Sequence, residues 1–252
     1  MHEPPALAPY AKASGKFNAL SFAVSFDRST PGLAPEAAST PVVSPWHHVA
    51  LGAPGGHGYQ MVVEIPKGTT SKLEVQKGVA GNPIKHDSKK GKVREYTYGL
   101  TFFNYGLLPQ TWEDPAHRSG NHTGDNDPLD IIELGGAKRR VGEVVPVKVL
   151  GNLKLIDQGE LDHKILALAL DDPKAGAVNS VADLEREMPG VLPALVDWLK
   201  MYKTTDGKEV NVLASDVPDS ADEAKAVITQ CNDAWKKLAV TKAVPYTGFW
   251  LP

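Results

Sequence analysis

Two apolar runs, Val147-Lys-Val-Leu-Gly-Asn-Leu-Lys-Leu-Ile156 and Lys164-Ile-Leu-Ala-Leu-Ala-Leu170, are typical of neighbouring β-strands. The short segment Asp157-Gln-Gly-Glu-Leu-Asp-His163 joins them, which favours an antiparallel hairpin. Asp157 ends the first run and Asp162 precedes the second, so pairing would bring both carboxylates to the same rim. Lys164 lies two residues after Asp162 and should point to the same face. A solvated hairpin with no further role remains an alternative interpretation of this segment.

The pattern of these two runs extends over residues 59–171. Strand-like stretches recur at Gln60–Ile65, Lys72–Gln76 and Asp130–Leu134, with Gly and Pro between them and no long helical period. Helical periodicity begins only later, over 180–202 and again from about residue 220, where Ser180 with Asp183 and Ser220 with Glu223 predict helix caps. Short strands linked by turns favour an antiparallel barrel over an alternating α/β sheet. The sequence therefore predicts an α+β fold, an antiparallel β-barrel with flanking C-terminal helices.

Composition excludes several classes of protein. The 252 residues are 42% hydrophobic and 23% charged, which is ordinary for a globular domain. A formal net charge of −3 leaves no basic footprint for nucleic acid. The apolar runs are too short to span a bilayer, so we expect no direct membrane insertion. The single cysteine, Cys231, excludes an internal disulfide and suits a reducing compartment.

The N-terminal segment differs from the rest of the chain. Residues 1–17 are rich in Ala and Pro and predict a flexible arm, which leaves residues 18–252 as a single domain. The first 43 residues balance their acids and bases, unlike the acid-poor, Arg-rich composition of transit peptides. The charged residues in question are Glu3, Asp27 and Glu36, against Lys12, Lys16 and Arg28.

The most informative stretch is Gly124-Asp-Asn-Asp-Pro-Leu-Asp130. Its three carboxylates repel one another unless cations or protons neutralise them. Pro128 biases Asp127 toward an extended backbone, which places Asp125 and Asp127 on one side. Oxygen-rich clusters of this kind suit hard cations. An EF-hand calcium loop is a poor match, because the sixth position lacks glycine and the twelfth lacks glutamate, but an acidic surface turn remains possible.

Basic residues form a third group. Lys72 and Glu74 alternate on a strand that follows Glu64, and a positive run over 89–94 ends at Arg94, just before an aromatic-rich passage. A solvated basic loop is the usual meaning of such a run. Together with the acidic segments, however, these residues indicate a site for a small, highly charged phosphate compound and metal ions. The pattern does not choose the substrate.

These motifs resemble those of the soluble family I inorganic pyrophosphatases of the eukaryotic type. Asp125-Asn-Asp-Pro-Leu-Asp130 resembles the family signature, and the resemblance extends from about Leu20 to Lys237. It includes Met61-Val-Val-Glu-Ile-Pro66, Lys89-Lys-Gly-Lys-Val-Arg94 and Asn104-Tyr-Gly-Leu-Leu-Pro-Gln-Thr-Trp-Glu-Asp114. The last of these is most similar to plastid-type members.

The resemblance implies an OB-like barrel and the Mg²⁺-dependent hydrolysis of pyrophosphate to two phosphates by a metal-activated water, with several ions per site. By the same resemblance, Asp125, Asp130 and Asp162 would bind the tighter metal. Asp157 and Glu74 would bind the additional metals, with Glu64 at the edge of that set. Asp127 corresponds to the general base, and Tyr105 is counted with it as catalytic. The substrate-binding positions are Lys72, Arg94, Tyr105, Lys164, Tyr202 and Lys203.

The departures from the family pattern include Thr101 and His163, which stand where tyrosine and tryptophan are common, and Gln158, where glutamate is common. They motivate an alternative, a non-catalytic pyrophosphatase-fold subunit or scaffold in a larger assembly. The expected partners are pyrophosphate and phosphate, without nucleic acid, for a monomer or homodimer. A soluble organellar compartment is expected, with the plastid stroma favoured over the mitochondrion or cytoplasm.

Overall fold

The computed structural model describes residues 4–157, 159–241 and 248–252. The strands in these ranges are β1 Lys12–Ser14, β2 Ala23–Ser25, β3 Tyr59–Ile65, β4 Leu73–Val75, β5 Ile84–His86, β6 Ser88–Lys89, β7 Lys92–Val93, β8 Asn104–Leu107, β9 Arg118–Ser119, β10 His122–Thr123, β11 Asp130–Glu133, β12 Val144–Asp157, β13 Glu160–Ala169, β14 Val212–Leu213 and β15 Asp219–Ser220. The α-helices are α1 Val181–Glu187, α2 Val191–Met201 and α3 Ala221–Thr241, and short 3₁₀ turns occupy Pro35–Ser39, Pro54–Gly56 and Thr204–Asp206.

One large sheet organises the fold. Its strands follow the order β14-β12-β3-β8-β11-β13-β10-β9, and β12 also pairs with β13. The predicted hairpin is present, with Asp157 opposite Glu160 and Leu153 opposite Lys164. A smaller sheet has the order β1-β2-β5-β4, and β6 pairs with β7. The predicted mixed α+β class, with a large sheet and few helices, is confirmed.

The expectation of purely antiparallel pairing is wrong for two strand pairs. β10 pairs with β13 in parallel at Thr123 and Glu160, and β11 pairs with β13 in parallel, with Asp130 opposite Lys164. The second pairing follows from the order of the strands, because β11, β8, β3 and β12 are each antiparallel to the next and β12 is antiparallel to β13. β11 and β13 therefore run in the same direction. This pairing sets Asp130 directly beside Lys164.

The helices begin at the predicted caps. Ser180 Oγ accepts a hydrogen bond from the Asp183 amide at 3.1 Å, and Ser220 Oγ accepts one from the Glu223 amide at 3.3 Å. Between α1 and α2 the chain turns at Gly190, whose φ of 84° is left-handed and suits glycine. The buried stripe of α3 packs against the sheet, and its members are Ala224, Ile228, Cys231 and Leu238.

The core consists of three apolar clusters on and between these elements. One joins the small sheet to the large one around Trp46 and Ile65. A second lies under α1 and α2 and includes Trp198, and a third lies under α3. Strands β11 and β13 are buried for most of their length, so the polar residues at their ends rest on a rigid support.

The N-terminal segment makes specific contacts with the rest of the chain. β1 pairs with β2, the Ala8 amide donates to the Val141 carbonyl at 2.9 Å, and Tyr10 Oη accepts from the Val144 amide at 2.7 Å. The flexible arm over 1–17 stays a prediction, because mobility is measured by methods such as hydrogen exchange. The single domain over 18–252 also stays a prediction. Among the described helices, none is long and apolar enough to cross a membrane.

Candidate active site

One cavity of about 310 Å³ contains every site residue predicted from the sequence. Segments far apart in the chain contribute to it: β3, β4, β8, the 125–130 loop, the β12–β13 hairpin and the end of α2. The residues concerned are Glu64, Lys72, Glu74, Arg94, Tyr105, Asp125, Asp127, Asp130, Asp157, Asp162, Lys164, Tyr202 and Lys203.

Lys164 lies at the centre of the acidic side of this cavity and is 4% exposed. Its Nζ donates to Asp162 Oδ1 at 2.5 Å and to Tyr105 Oη at 3.0 Å, and it also pairs with Asp130. Tyr105 in turn donates to Asp130. Burial favours the neutral amine, but Asp130 and Asp162 outweigh it and raise the pKa of Lys164. The lysine therefore stays charged and holds the two aspartates in place.

Two further carboxylates crowd against Asp162 beside this network. Oxygens of Glu113, Asp125 and Asp162 all lie within 4.8 Å of one another. Burial, and then the mutual repulsion of the acids, raises the pKa values of Glu113 and Asp125. Burial also raises the pKa of Asp162 to about 6, against the opposing charge of Lys164. A divalent cation bound among these three carboxylates would relieve their mutual repulsion.

Glu113 is the member of this group that the sequence analysis missed. It is 4% exposed, its Oε1 accepts from the His163 amide at 3.2 Å, and its Oε2 is buried without a hydrogen-bond partner in the described structure. A buried carboxylate oxygen without a partner is costly. Its position between Asp125 and Asp162 fits the binding of a cation. Glu113 lies next to Asp114 in the Asn104–Asp114 motif, but nothing in that stretch of sequence places it beside the Asp125–Asp130 segment.

The opposite side of the cavity carries the basic residues. Lys72 Nζ lies 2.9 Å from Glu74 Oε2 and 2.6 Å from Asp87 Oδ2, and Arg94 Nη1 lies 2.5 Å from the same Asp87 oxygen. Burial opposes ionisation of Asp87, but the two cations outweigh it and lower its pKa. Asp87, which sequence reasoning missed, therefore positions both cations. Glu64 lies behind them, and its Oε1 accepts from the Val75 amide at 2.6 Å.

Asp127 lies at the open mouth of the cavity. Its side chain is 50% exposed, and its Oδ1 lies 2.5 Å from Lys77 Nζ. Its amide donates to Asp125 Oδ1 at 3.0 Å, across a turn in which Asn126 has a left-handed φ of 68°. The turn directs Asp125 inward and leaves Asp127 accessible to solvent. Lys77 had no predicted role.

Tyr202 and Lys203 close the cavity from the end of α2. The Tyr202 ring stacks on Trp198 with centroids 4.7 Å apart, and burial raises the pKa of its phenol. Lys203 Nζ lies 2.6 Å from Asp157 Oδ2. Burial lowers the pKa of Lys203, and the bond to Asp157 opposes that shift.

The departures from the family pattern lie at or beyond the edge of this cavity. Thr101 is 1% exposed, donates from its hydroxyl to the Pro66 carbonyl at 3.2 Å and does not line the cavity. His163 lines a separate cleft behind Glu113, where burial lowers the pKa of its imidazole to about 4. Gln158 lies outside the described residues. The two described departures leave the predicted metal ligands in the cavity.

A mixed α+β fold whose cavity combines crowded carboxylates with lysine, arginine and tyrosine is typical of enzymes that act on phosphate compounds with divalent cations. The profile described as "Inorganic pyrophosphatase" matches residues 61–236. This chain belongs to the inorganic pyrophosphatase family.

The relatives support the eukaryotic type. Soluble inorganic pyrophosphatase 6, chloroplastic, of Arabidopsis thaliana is 46% identical over 200 residues, which are 78% of this chain and 66% of that protein. The match to the inorganic pyrophosphatase of Homo sapiens is 42% identical over 208 residues and covers 79% of this chain and 71% of the human one. This chain thus spans about two thirds of the length of the plant relative.

Solved structures agree with this assignment. The inorganic pyrophosphatase of Schistosoma japonicum superimposes with a TM-score of 0.86 at 36% identity, covering 95% of this chain and 84% of that one. The type I enzyme of Toxoplasma gondii gives a TM-score of 0.81 at 39% identity, covering 90% of this chain and 98% of that one.

Proposed function

We propose that this chain hydrolyses inorganic pyrophosphate to two phosphates and uses Mg²⁺ as its cofactor. The observation that carries the proposal is the meeting of five aspartates with four lysines and an arginine in one cavity of about 310 Å³. Membership of the inorganic pyrophosphatase family supports the choice of substrate. A vacuolar soluble pyrophosphatase of Trypanosoma cruzi, 32% identical with a TM-score of 0.81, has been solved in complex with PPi.

The carboxylates would hold the cations. Asp125, Asp130 and Asp162 are the proposed ligands of the tighter ion, Asp157 and Glu74 those of the additional ions, and Glu64 borders the set. The partnerless oxygen of Glu113 and the raised pKa values around it support this assignment. Bound Mg²⁺ would neutralise the charge of pyrophosphate and make water easier to deprotonate near neutral pH.

Asp127 is the proposed general base. In the reaction, a water oxygen attacks one phosphorus, the bond from that phosphorus to the bridging oxygen breaks, and the second phosphate leaves with the electron pair. Asp127 accepts the proton of the attacking water, since its carboxylate lies at the solvent-accessible mouth and is oriented by Lys77. The cavity therefore admits water at the point where the base is available.

The basic and phenolic groups bind the substrate. Lys72 and Arg94 face the acidic side of the cavity, and Lys164 and Lys203 lie among the acids. Their charges stabilise the negative charge that gathers on the leaving phosphate. Tyr105 and Tyr202 supply hydrogen-bond donors at the same surface. Because Asp87 fixes Lys72 and Arg94 together, little reorganisation is needed when the anion binds.

We also infer that the large sheet closes as an OB-like barrel with the site at its mouth. Pairings run from β12 to β3, β8, β11 and β13, and from β13 back to β12. Such a circuit has no free edge among its five strands.

The similarity to chloroplastic relatives supports a plastid location. A monomer or homodimer without nucleic-acid partners remains our proposal for the assembly.

The Asp127→Asn variant tests the proposed mechanism. We expect turnover of Mg-pyrophosphate to fall about 10²-fold or more, the scale of lost general-base catalysis. Asp233→Asn is the matched control, because Asp233 is exposed on α3, where it pairs with the neighbouring Lys236 at 3.0 Å. Equal loss in both variants, or none in Asp127→Asn, would contradict the role of Asp127. An inert wild-type protein would instead favour a non-catalytic scaffold.

A further inference from the structure

Tyr96 lines the same cavity, although neither the sequence motifs nor the proposed mechanism gives it a role. Its backbone is fixed by residues 70–72, which lead into β4. The Tyr96 amide donates to the Thr70 carbonyl at 2.6 Å, and the Lys72 amide donates to the Arg94 carbonyl at 3.2 Å. Between them, Glu95 and Ser71 form an isolated antiparallel β-bridge. Because side chains alternate along an extended segment, Tyr96 shares the cavity side with Arg94.

The ring of Tyr96 is held by aromatic packing. It meets Trp198 edge-on with centroids 5.1 Å apart at 75°, and Tyr202 at 5.8 Å and 77°. Trp198 and Tyr202 are themselves stacked. Edge-to-face contacts of this geometry are favourable and restrict rotation of the ring. The phenol therefore has a defined position.

The hydroxyl of Tyr96 has no hydrogen-bond partner among the described residues. Tyr96 is partly buried and its oxygen is not among the fully buried atoms that lack a partner, so the hydroxyl opens onto the cavity. The charged groups that act on it are Lys72, Lys164 and Arg94, with Asp130 opposing them. Burial raises the pKa of Tyr96 to about 12, so the hydroxyl keeps its proton at neutral pH. The group is thus a free donor among three cations.

We propose that Tyr96 is a further substrate-binding residue, whose hydroxyl donates a hydrogen bond to a phosphoryl oxygen of pyrophosphate. The proposal rests on the proposed function, because the cations around Tyr96 are those assigned to the substrate. A phosphoryl oxygen held by Lys72 and Arg94 would lie on the side of the cavity that Tyr96 faces. The ring alone would satisfy the packing against Trp198, so the hydroxyl that opens onto the cavity is the part available to a ligand.

Tyr96→Phe removes only the hydroxyl and tests the proposal. We expect kcat/KM for Mg-pyrophosphate to fall about tenfold, the scale of a hydrogen bond to a charged group. Calorimetry should show a similar weakening for methylenediphosphonate, an analogue that cannot be hydrolysed, in the presence of Mg²⁺. The thermal midpoint should not change, because no protein partner is lost. Tyr98→Phe is the control, since Tyr98 is 38% exposed and outside the cavity.

A second variant separates the hydroxyl from the ring. If Tyr96→Phe matches the wild type while Tyr96→Leu loses activity, the ring only packs and the proposal is overturned. If wild-type protein neither hydrolyses pyrophosphate nor binds the analogue, the proposed function fails and the role of Tyr96 fails with it. If it binds the analogue without hydrolysing pyrophosphate, weaker binding by Tyr96→Phe still supports this role, while the proposed activity fails.

Discussion

Lys77 Nζ lies 2.5 Å from Asp127 Oδ1 and 2.6 Å from the Asn126 carbonyl oxygen, so one ammonium holds two consecutive residues of the turn that carries the proposed base. The same ammonium lies 5.5 Å from the centroid of the Phe249 ring. The Lys77 carbonyl accepts from the Trp250 amide at 2.7 Å. Residues of the C-terminal segment therefore pack directly against the segment that orients Asp127.

Replacing Lys77 tests this relationship. We expect Lys77→Gln to lower kcat about tenfold while KM changes little, because a misplaced base slows the chemical step more than binding. The folding stability should change by only about 0–1 kcal/mol, since the pair is partly exposed. Lys77→Arg should retain most of the activity. Steady-state kinetics give the answer, with Lys236→Gln as the surface control; a wild-type kcat in Lys77→Gln would refute the positioning role.

Glu113 offers a test of the metal site. Glu113→Gln should raise the thermal midpoint of metal-free protein, because one of three repelling carboxylates is removed. The same change should weaken Mg²⁺ binding about tenfold, the scale of losing a residue that supports a metal site. Thermal unfolding in chelator and calorimetric Mg²⁺ titration measure the two effects. Exposed Glu209 provides the control as Glu209→Gln. Unchanged Mg²⁺ affinity would argue against a cation beside Glu113.

His47 makes the stability depend on pH. It packs between Trp46 and Trp235, its Nδ1 accepts from Trp235 Nε1 at 2.8 Å, and burial lowers its pKa from 6.5 to about 3. Between those values the unfolded chain binds more protons than the folded one. The stability due to His47 is therefore complete above about pH 6.5 and decreases as the pH falls, by about 1.4 kcal/mol per pH unit.

Urea unfolding of the wild type and of His47→Phe across that range measures the effect. The stability of wild-type protein should fall more steeply with acid than that of the variant, which keeps a ring but cannot be protonated. His57→Gln is the control, since His57 is exposed. Parallel curves for the wild type and His47→Phe would show that His47 is not the group responsible.

The features that the sequence predicted are those set by local pattern. The β12–β13 hairpin follows from two apolar runs and a short connection, and Ser180 and Ser220 cap helices because each is followed by an acid three residues later. The Asp125–Asp130 motif places its acids at the start of β11, and the apolar residues that follow predict a buried strand. These acids were also the easiest to find, because their mutual repulsion needs an explanation.

Other features depend on pairings that local pattern does not encode. The parallel register of Asp130 with Lys164 arises from the successive antiparallel pairings of β11, β8, β3, β12 and β13. Glu113 comes next to Asp162 only when the His163 amide reaches its carboxylate. Tyr96 reaches the cavity because its backbone aligns with residues 70–72 and its ring packs on Trp198. Each contact joins two segments whose sequences do not indicate that they lie side by side.

The most direct test of the account is phosphate release from pyrophosphate by purified wild-type protein, with millimolar Mg²⁺ and with excess chelator. The convergence of distant carboxylates on one cavity predicts steady release with Mg²⁺ and loss of release with chelator, reversed when Mg²⁺ is restored. No release at any Mg²⁺ concentration, or release that persists in chelator, would contradict the central claim.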